Sequence, residues 1–195
     1  MKRIIQALCL LGWFVLLLAI LYPLLLTGFA WMTWRDSAQG SLLIKEGKVR
    51  GSILVGQSFT SDKYFWSRPS ASNYATLPSQ SPHWNFGNPA SVERLEKTRQ
   101  FLMAKHGVQA SAVPPGLLFD SASGIDPDMM LASAFFQVER VAKARGMDTE
   151  EGKKRLHDLI MQAKVKKPLN LFGRDCINVL LLNELLDKLP REEKP

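Results

Sequence analysis

From Ile4 to Trp34 the chain has no charged residue, a gap too long for the surface of a soluble domain. Other absences narrow the function classes. There are two cysteines, Cys9 and Cys176, and one falls in the uncharged stretch, so no internal disulfide is expected. The three histidines, His83, His106 and His157, have no metal-type spacing to Cys, Asp or Glu, and no metal site is predicted. A Gly-rich G-x-x-x-x-G-K-[ST] loop, an Asp-Lys-Thr-Gly phosphorylation motif and a G-x-S-x-G nucleophile elbow are all missing, which argues against an ATP-hydrolysing engine and a serine hydrolase of the common type. The chain carries no internal repeat and no nucleic-acid motif. Acidic residues interleave with the basic ones, so no nucleic-acid partner is expected.

The uncharged stretch reads as a membrane anchor. The first 23 residues of it, Ile4 to Leu26, are almost wholly apolar, and as a helix they reach about 35 Å, enough for a hydrocarbon core of about 30 Å. A cleaved leader is the rival reading, since Gly28 and Ala30 flank Phe29, but a leader's apolar core runs about 7 to 15 residues. Met1-Lys2-Arg3 places positive charge before the span, whereas Arg35 is balanced by Asp36 after it. The N-terminus is therefore expected in the cytoplasm and the rest outside, in a Gram-negative cell the periplasm. Tyr22, Trp31 and Trp34 fit a headgroup belt, so membrane lipid is an expected partner, and Pro23 can kink the outer end.

This gives two parts: residues 1–34, N-terminus and anchor, and residues 35–195, one mixed α and β (α+β) domain on the periplasmic side. Lys2 and Arg3 carry two of the chain's +7, leaving +5 on the outer part, a moderate basicity. Leu42 to Lys45 and Val49 to Val55 around Glu46-Gly47-Lys48 read as a hairpin. Phe59 to Asn88 is rich in Ser, Asn, Pro and aromatics and is expected to pack on the domain. Asn88-Pro89 opens a helix that ends before Gly107, and Leu117 to Phe119 reads as a short strand. Asp126 as cap and Pro127 open a second helix, which stops at Gly146. Thr149 precedes a third helix, and Asn178 caps a last one ended by Pro190.

On the second helix Gln137, Arg140, Lys143 and Arg145 project as a polar edge suited to a partner or to a nucleotide phosphate. A plain solvated face is the alternative. Asn183 sits in an apolar run and needs a partner, a loop or another subunit. Arg68 lies among aromatics on which it can stack. Ser121, Ser123 and Asp126 supply the one hint of a membrane-anchored periplasmic hydrolase, without a histidine near them in sequence.

Five segments carry a resemblance: VGQSF at 55–59, YFWSRPSA at 64–71, SASGIDPD at 121–128, QVERVAKARG at 137–146 and INVLLLNELL at 177–186. In this order, after a single N-terminal span, they resemble the KdpC subunits of bacterial Kdp potassium-transporting P-type ATPases over essentially the whole chain. Asp128-Met129-Met130 departs from the His and Ser usual in that family, so no role of those side chains carries over. The resemblance implies a non-catalytic accessory subunit in the inner membrane. Its partners would be a channel-like, potassium-binding subunit and an ATP-hydrolysing P-type subunit. It would assist assembly and raise the pump subunit's affinity for ATP as a catalytic chaperone. No cofactor is expected on the chain itself, ATP acting on the complex.

Overall fold

The computed structural model describes residues 1–78, 80–81, 83–165 and 173–189. The chain forms two compact units, Met1–Ser52 and Ile53–Pro195.

The first unit is built on one apolar helix, α1 (Lys2–Thr33). Its middle, Val15–Leu21, is wound as a π-helix, and the Tyr22 N–H reaches back five residues to Leu17 O. Pro23 follows directly. A proline has no N–H and its ring crowds the carbonyl one turn earlier, so the wider winding lets the helix pass Pro23 without a break. Trp34 (φ −134°) stops α1, one helical turn follows at Arg35–Ala38, and the hairpin begins. Strands β1 (Leu42–Lys45) and β2 (Lys48–Ser52) are antiparallel, joined by Glu46 and Gly47, both at positive φ as a tight two-residue turn requires. The second strand ends at Ser52 and not at Val55, because its last partner is Leu42, where the first strand begins; a bulge opposite Leu43 and Ile44 adds only one residue to it.

In the second unit α2 (Pro89–His106) starts with Asn88 accepting the Ala90 N–H (3.0 Å) and stops at Gly107, φ 64°. Helices α3 (Leu131–Arg145) and α4 (Glu150–Gln162) are separated by Gly146, φ 74°, and Thr149 Oγ1 caps α4 by accepting from Gly152 N. Helix α5 (Val179–Lys188) begins at Asn178, whose side chain accepts from Leu181 N (3.1 Å). Pro190 lies outside the described residues.

Two expectations need correcting. Leu117 to Phe119 do not form the expected strand: Leu117 closes a 3-10 turn (Pro115–Leu117), and the N–H groups of Leu118 and Phe119 both turn back to donate to Pro115 O. Asp126 does not cap a helix. After it the backbone stays extended as β3 (Asp128–Met130), paired antiparallel with β4 (Cys176–Asn178), and α3 starts only at Leu131, with Met130 at the cap position. An Asp-Pro pair suits a turn as well as a cap, and here the ladder to β4 decides. Asp126 Oδ1 accepts from Asp128 N and Oδ2 pairs with Arg68, and Pro127 O accepts from Val179 N.

The main core is Phe65, Met129, Val138, Leu156, Ile160, Ile177, Leu182 and Leu186, which brings α3, α4, α5 and the β3–β4 pair together. A second cluster, Leu102, Val113, Leu117 and Leu118, seats α2. Together these make the fold a single apolar helix and hairpin followed by a mixed α and β region.

Candidate functional site

The densest arrangement of polar side chains surrounds the aromatic loop from Phe59 to Ala71. This loop has no ladder of its own, yet Phe65 is fully buried. Its backbone must therefore find partners elsewhere.

Two carboxamides provide them. Asn183, on α5, accepts from Phe65 N at 2.9 Å and donates through Nδ2 to Phe65 O at 2.9 Å. Gln137, on α3, does the same for the next residue: Oε1 accepts from Trp66 N at 2.7 Å and Nε2 donates to Trp66 O at 3.1 Å. Each amide presents one donor and one acceptor, the pair that a neighbouring strand would offer, so two side chains stand in for a ladder along Phe65 and Trp66. Gln137 Nε2 also donates to Ser133 O, which leaves the buried amide fully used.

Arg140 fixes the same loop from one turn along α3. Its Nη1 donates to Asp62 O (2.6 Å), and its Nη2 to Tyr64 O (3.0 Å) and Gln137 Oε1 (2.7 Å), while the guanidinium lies 3.8 Å from the Trp66 ring centroid. Burial pushes Arg140 down to about 10, with the Asp62 carboxylate opposing, so it stays charged at neutral pH. Arg145 holds the loop's other side, donating to Lys63 O, Leu186 O and Asp187 Oδ1 (2.7 Å) and lying over Tyr64, whose hydroxyl donates to Asp187 Oδ2.

Beyond Trp66 the loop is tied to the 120–126 turn. Arg68 pairs with Asp126 at 2.7 Å, Ser121 N donates to Pro69 O, and Ser70 Oγ donates to Gly124 O. The expected stacking of Arg68 is not what forms. The nearby carboxylate of Asp126 takes the guanidinium, and the stacked arginine is Arg140. Tyr74 donates to Arg68 O, and burial lifts its hydroxyl to about 12. Asp120, fully covered and paired with Arg94 at 2.9 Å, is raised above the usual carboxylate range by burial, the arginine opposing. Gly56 closes the corner: its N–H donates to Ile125 O, and a Cβ there would run into the Asp126 carbonyl.

The expected polar edge is therefore split. Of its four members Gln137 and Arg140 are buried against this chain's own loop and Arg145 is bound to it, which leaves Lys143 outward; Asn183, on α5, is buried against the same loop. Spacing placed these side chains on one polar face, but it cannot tell a face covered by a loop from one covered by water. Lys143 lines a polar cleft of about 590 Å3 with Lys105, His106, Glu139, Arg140 and Asp148. His106, packed at 4.3 Å from the Phe136 ring, is pushed down to about 4 by burial and then by the charge of Arg140, so it is neutral at physiological pH. An apolar cleft of about 250 Å3 opens on the other side of Trp66, with Phe59, Phe101, Leu102 and Leu117 among its walls.

Asp62, Trp66, Asp120 and Arg94 escaped the sequence reading. Their partners lie tens of residues away, and a backbone carbonyl such as Asp62 O leaves no mark on residue type. Among the described residues no cluster of metal-ligating side chains occurs. The Ser121 hydroxyl lies 3.1 Å from that of Ser123 and accepts from Gly124 N, and Asp126 is committed to Arg68, so among the described residues no base is bonded to these serines. The geometry is that of a rigid, multiply tied surface.

Comparison with known proteins agrees with the resemblance. The family described as "KdpC: K+-transporting ATPase, c chain" matches residues 4–188. A protein of Leptospira interrogans named potassium-transporting ATPase KdpC subunit is 43% identical over 172 residues, 88% of this chain and 86% of that one. Proteins of the same name from Caldanaerobacter subterraneus (38% over 183 residues, 93% of each chain) and Polaromonas naphthalenivorans (38% over 201 residues, the full length of both) are similar throughout.

Proposed function

The chain belongs to the KdpC family of K+-transporting ATPase subunits, and from that premise we propose that it is a non-catalytic accessory subunit of an ATP-driven potassium importer. It is anchored in the inner membrane by α1, with residues 35–195 on the periplasmic side. Its partners are a channel-like, potassium-binding subunit and an ATP-hydrolysing P-type subunit, whose assembly it assists. The observation that carries this reading is the family match over residues 4–188, which takes in the apolar helix as well as all but the last residues of the outer region.

Two features support the finer parts. Positive charge precedes the span and is balanced after it, which favours an exported domain. The side chains best suited to a nucleotide phosphate, Gln137 and Arg140, already have their hydrogen-bonding groups engaged by the Asp62–Trp66 backbone, so a rise in the pump's ATP affinity is transmitted through assembly rather than by direct contact. Co-purification tests the assignment. A tagged chain should bring down two larger membrane proteins and show no turnover alone, whereas hydrolysis by the isolated chain would favour an enzyme. Alkaline phosphatase fused after Pro195 should be active. An inactive fusion, with an active cytoplasmic reporter at the same site, would reverse the topology and revive direct ATP contact.

A further inference from the structure

The hairpin after the span wears its sides the wrong way round for water. Ile44 and Val49 are directly paired across β1 and β2, and Leu42 lies two residues before Ile44 on the same face. These three are 61%, 59% and 44% exposed, while the opposite face carries the half-buried Leu43 and Lys45. A two-stranded hairpin is at best marginally stable in water, and one that shows a branched apolar face to solvent needs a cover.

The chain's own geometry says where that cover lies. The apolar residues Ile4 to Leu26 fill a hydrocarbon core of about 30 Å, and the seven residues from there to Thr33 add about 10 Å of helix, so the outer end of α1 comes up at headgroup level. The hairpin is tied to that end. Only one helical turn separates Trp34 from it, Ser41 N donates to Asp36 O at 2.8 Å, and Ser52 Oγ donates to Gly40 O at 2.7 Å, which closes both strands onto the connecting turn. Its charge is also one-sided, with Lys45, Lys48 and Arg50 against the single acid Glu46.

We propose that the hairpin is a lipid-seated element: Leu42, Ile44 and Val49 rest in the interfacial layer of the leaflet where α1 emerges, and Lys45, Lys48 and Arg50 engage the phosphates of anionic phospholipids. This rests on α1 spanning the membrane but not on which side the domain occupies. Lys45 and Lys48, paired across the strands, leave from the opposite side of the hairpin, so with the apolar side seated their long side chains reach the phosphates around its edges, and each basic residue near anionic headgroups adds to the attraction. It gives the anchor a second, rotationally fixed foothold that a lone helix lacks.

The test uses the full chain with Cys9→Ser and Cys176→Ser, reconstituted in nanodiscs of phosphatidylcholine alone or with one-third phosphatidylglycerol. An environment-sensitive dye is attached at Ile44→Cys or Val49→Cys, and lipids bearing nitroxides at the headgroup or deep in the acyl chain act as quenchers. The dye should be quenched by headgroup nitroxides at least twofold more strongly with phosphatidylglycerol present, and Lys45→Gln/Lys48→Gln/Arg50→Gln should return quenching to the phosphatidylcholine level. A dye at Leu16→Cys, quenched by deep nitroxides, shows separately that the span is inserted. With that control positive, a water-like, unquenched dye at position 44 in both discs overturns the lipid seat. Shielding that appears only when the other subunits of the complex are present makes the face a protein interface and overturns it too. Equal quenching in the two discs overturns the part assigned to the basic residues.

Discussion

Replacing Asn183 by Leu removes one of the two amides that stand in for a strand beside the aromatic loop while keeping the size of the side chain. Phe65 is fully buried, and its N–H and C=O have Asn183 as their partner at 2.9 Å each. Neither group can turn to water without withdrawing the Phe65 ring from the main core. A buried polar group left without a partner costs about 1–3 kcal/mol, so two together give roughly 2–5 kcal/mol, partial relaxation being allowed for. For a unit of this size, about 3 °C of melting temperature accompanies each kcal/mol, which places the expected drop at roughly 6–15 °C. Asn183→Asp is the sharper control. The carboxylate can still accept from Phe65 N but has no donor for Phe65 O and buries a charge, so it should be at least as damaging at pH 7 and recover as acid protonates it.

The assay is thermal unfolding of the full chain in detergent, followed by near-ultraviolet circular dichroism, with hydrogen exchange of the 62–68 stretch read by mass spectrometry. Both variants should speed exchange of the Phe65 and Trp66 amides selectively over those of α4. A melting temperature within 2 °C of the parent, with both amides still protected, would refute the argument. The loop would then be held by its aromatic side chains alone.

Arg140→Met keeps an aliphatic stem near Trp66 but deletes donors to Asp62 O, Tyr64 O and Gln137 Oε1, and a loss of about 2–4 kcal/mol is expected in the same assay. Arg140→Lys should rescue little, since one ammonium cannot span three acceptors set for a planar fork. Because His106 is pushed down to about 4 in the folded chain from 6.5, the unfolded chain binds a proton first on acidification: the stability tied to it is whole above pH 6.5 and is lost as pH falls towards 4. Asp120 and Asp128, both raised by burial, act in the opposite sense at the acid end of that window. His106→Phe should therefore flatten the decline in melting temperature between pH 7 and pH 5, and an unchanged slope would exclude His106 as its source. In the anchor, Leu16→Arg puts a charge near mid-span at about 2.5–3.5 kcal/mol and should deplete the chain from membranes. A Cβ at Gly12 meets no neighbouring atom within this chain, so Gly12→Leu should leave insertion intact; weaker recovery of the complex from detergent would then locate a helix contact there, and full recovery would make the span a tether only.

What could be read from sequence was local. The length of the span, Asn88 and Asn178 at helix starts, and Gly107 and Gly146 at helix ends all follow from chemistry within about four residues. What could not be read depended on distant pairing. Asp126-Pro127 had the form of a cap until β4, some fifty residues on, drew 128–130 into a ladder. Gln137 and Arg140 had the form of an open polar edge until a loop seventy residues earlier covered them. The hairpin was legible as a hairpin, but its inverted faces were not, because a bulge and a tight turn decide which way Ile44 and Val49 look.

The five segments that carry the family resemblance meet in one place. Gln57 O accepts from Ser67 Oγ, Gly56 N donates to Ile125 O, Arg68 pairs with Asp126, Pro69 O accepts from Ser121 N, Gln137 holds Trp66 and Asn183 holds Phe65. Each segment thus contributes one side of a bond whose other side lies in another. A group of motifs bound mostly to each other is the mark of a keystone and not of an open ligand site, where side chains would be left pointing at an absent molecule. Their polar groups are largely spent inside the domain, and the open surfaces beside them are the apolar cleft at Trp66 and the polar cleft around Lys143. On the function proposed above, such a surface can act on a larger assembly without chemistry of its own, because a preorganised surface loses little entropy on docking and holds a partner in one geometry.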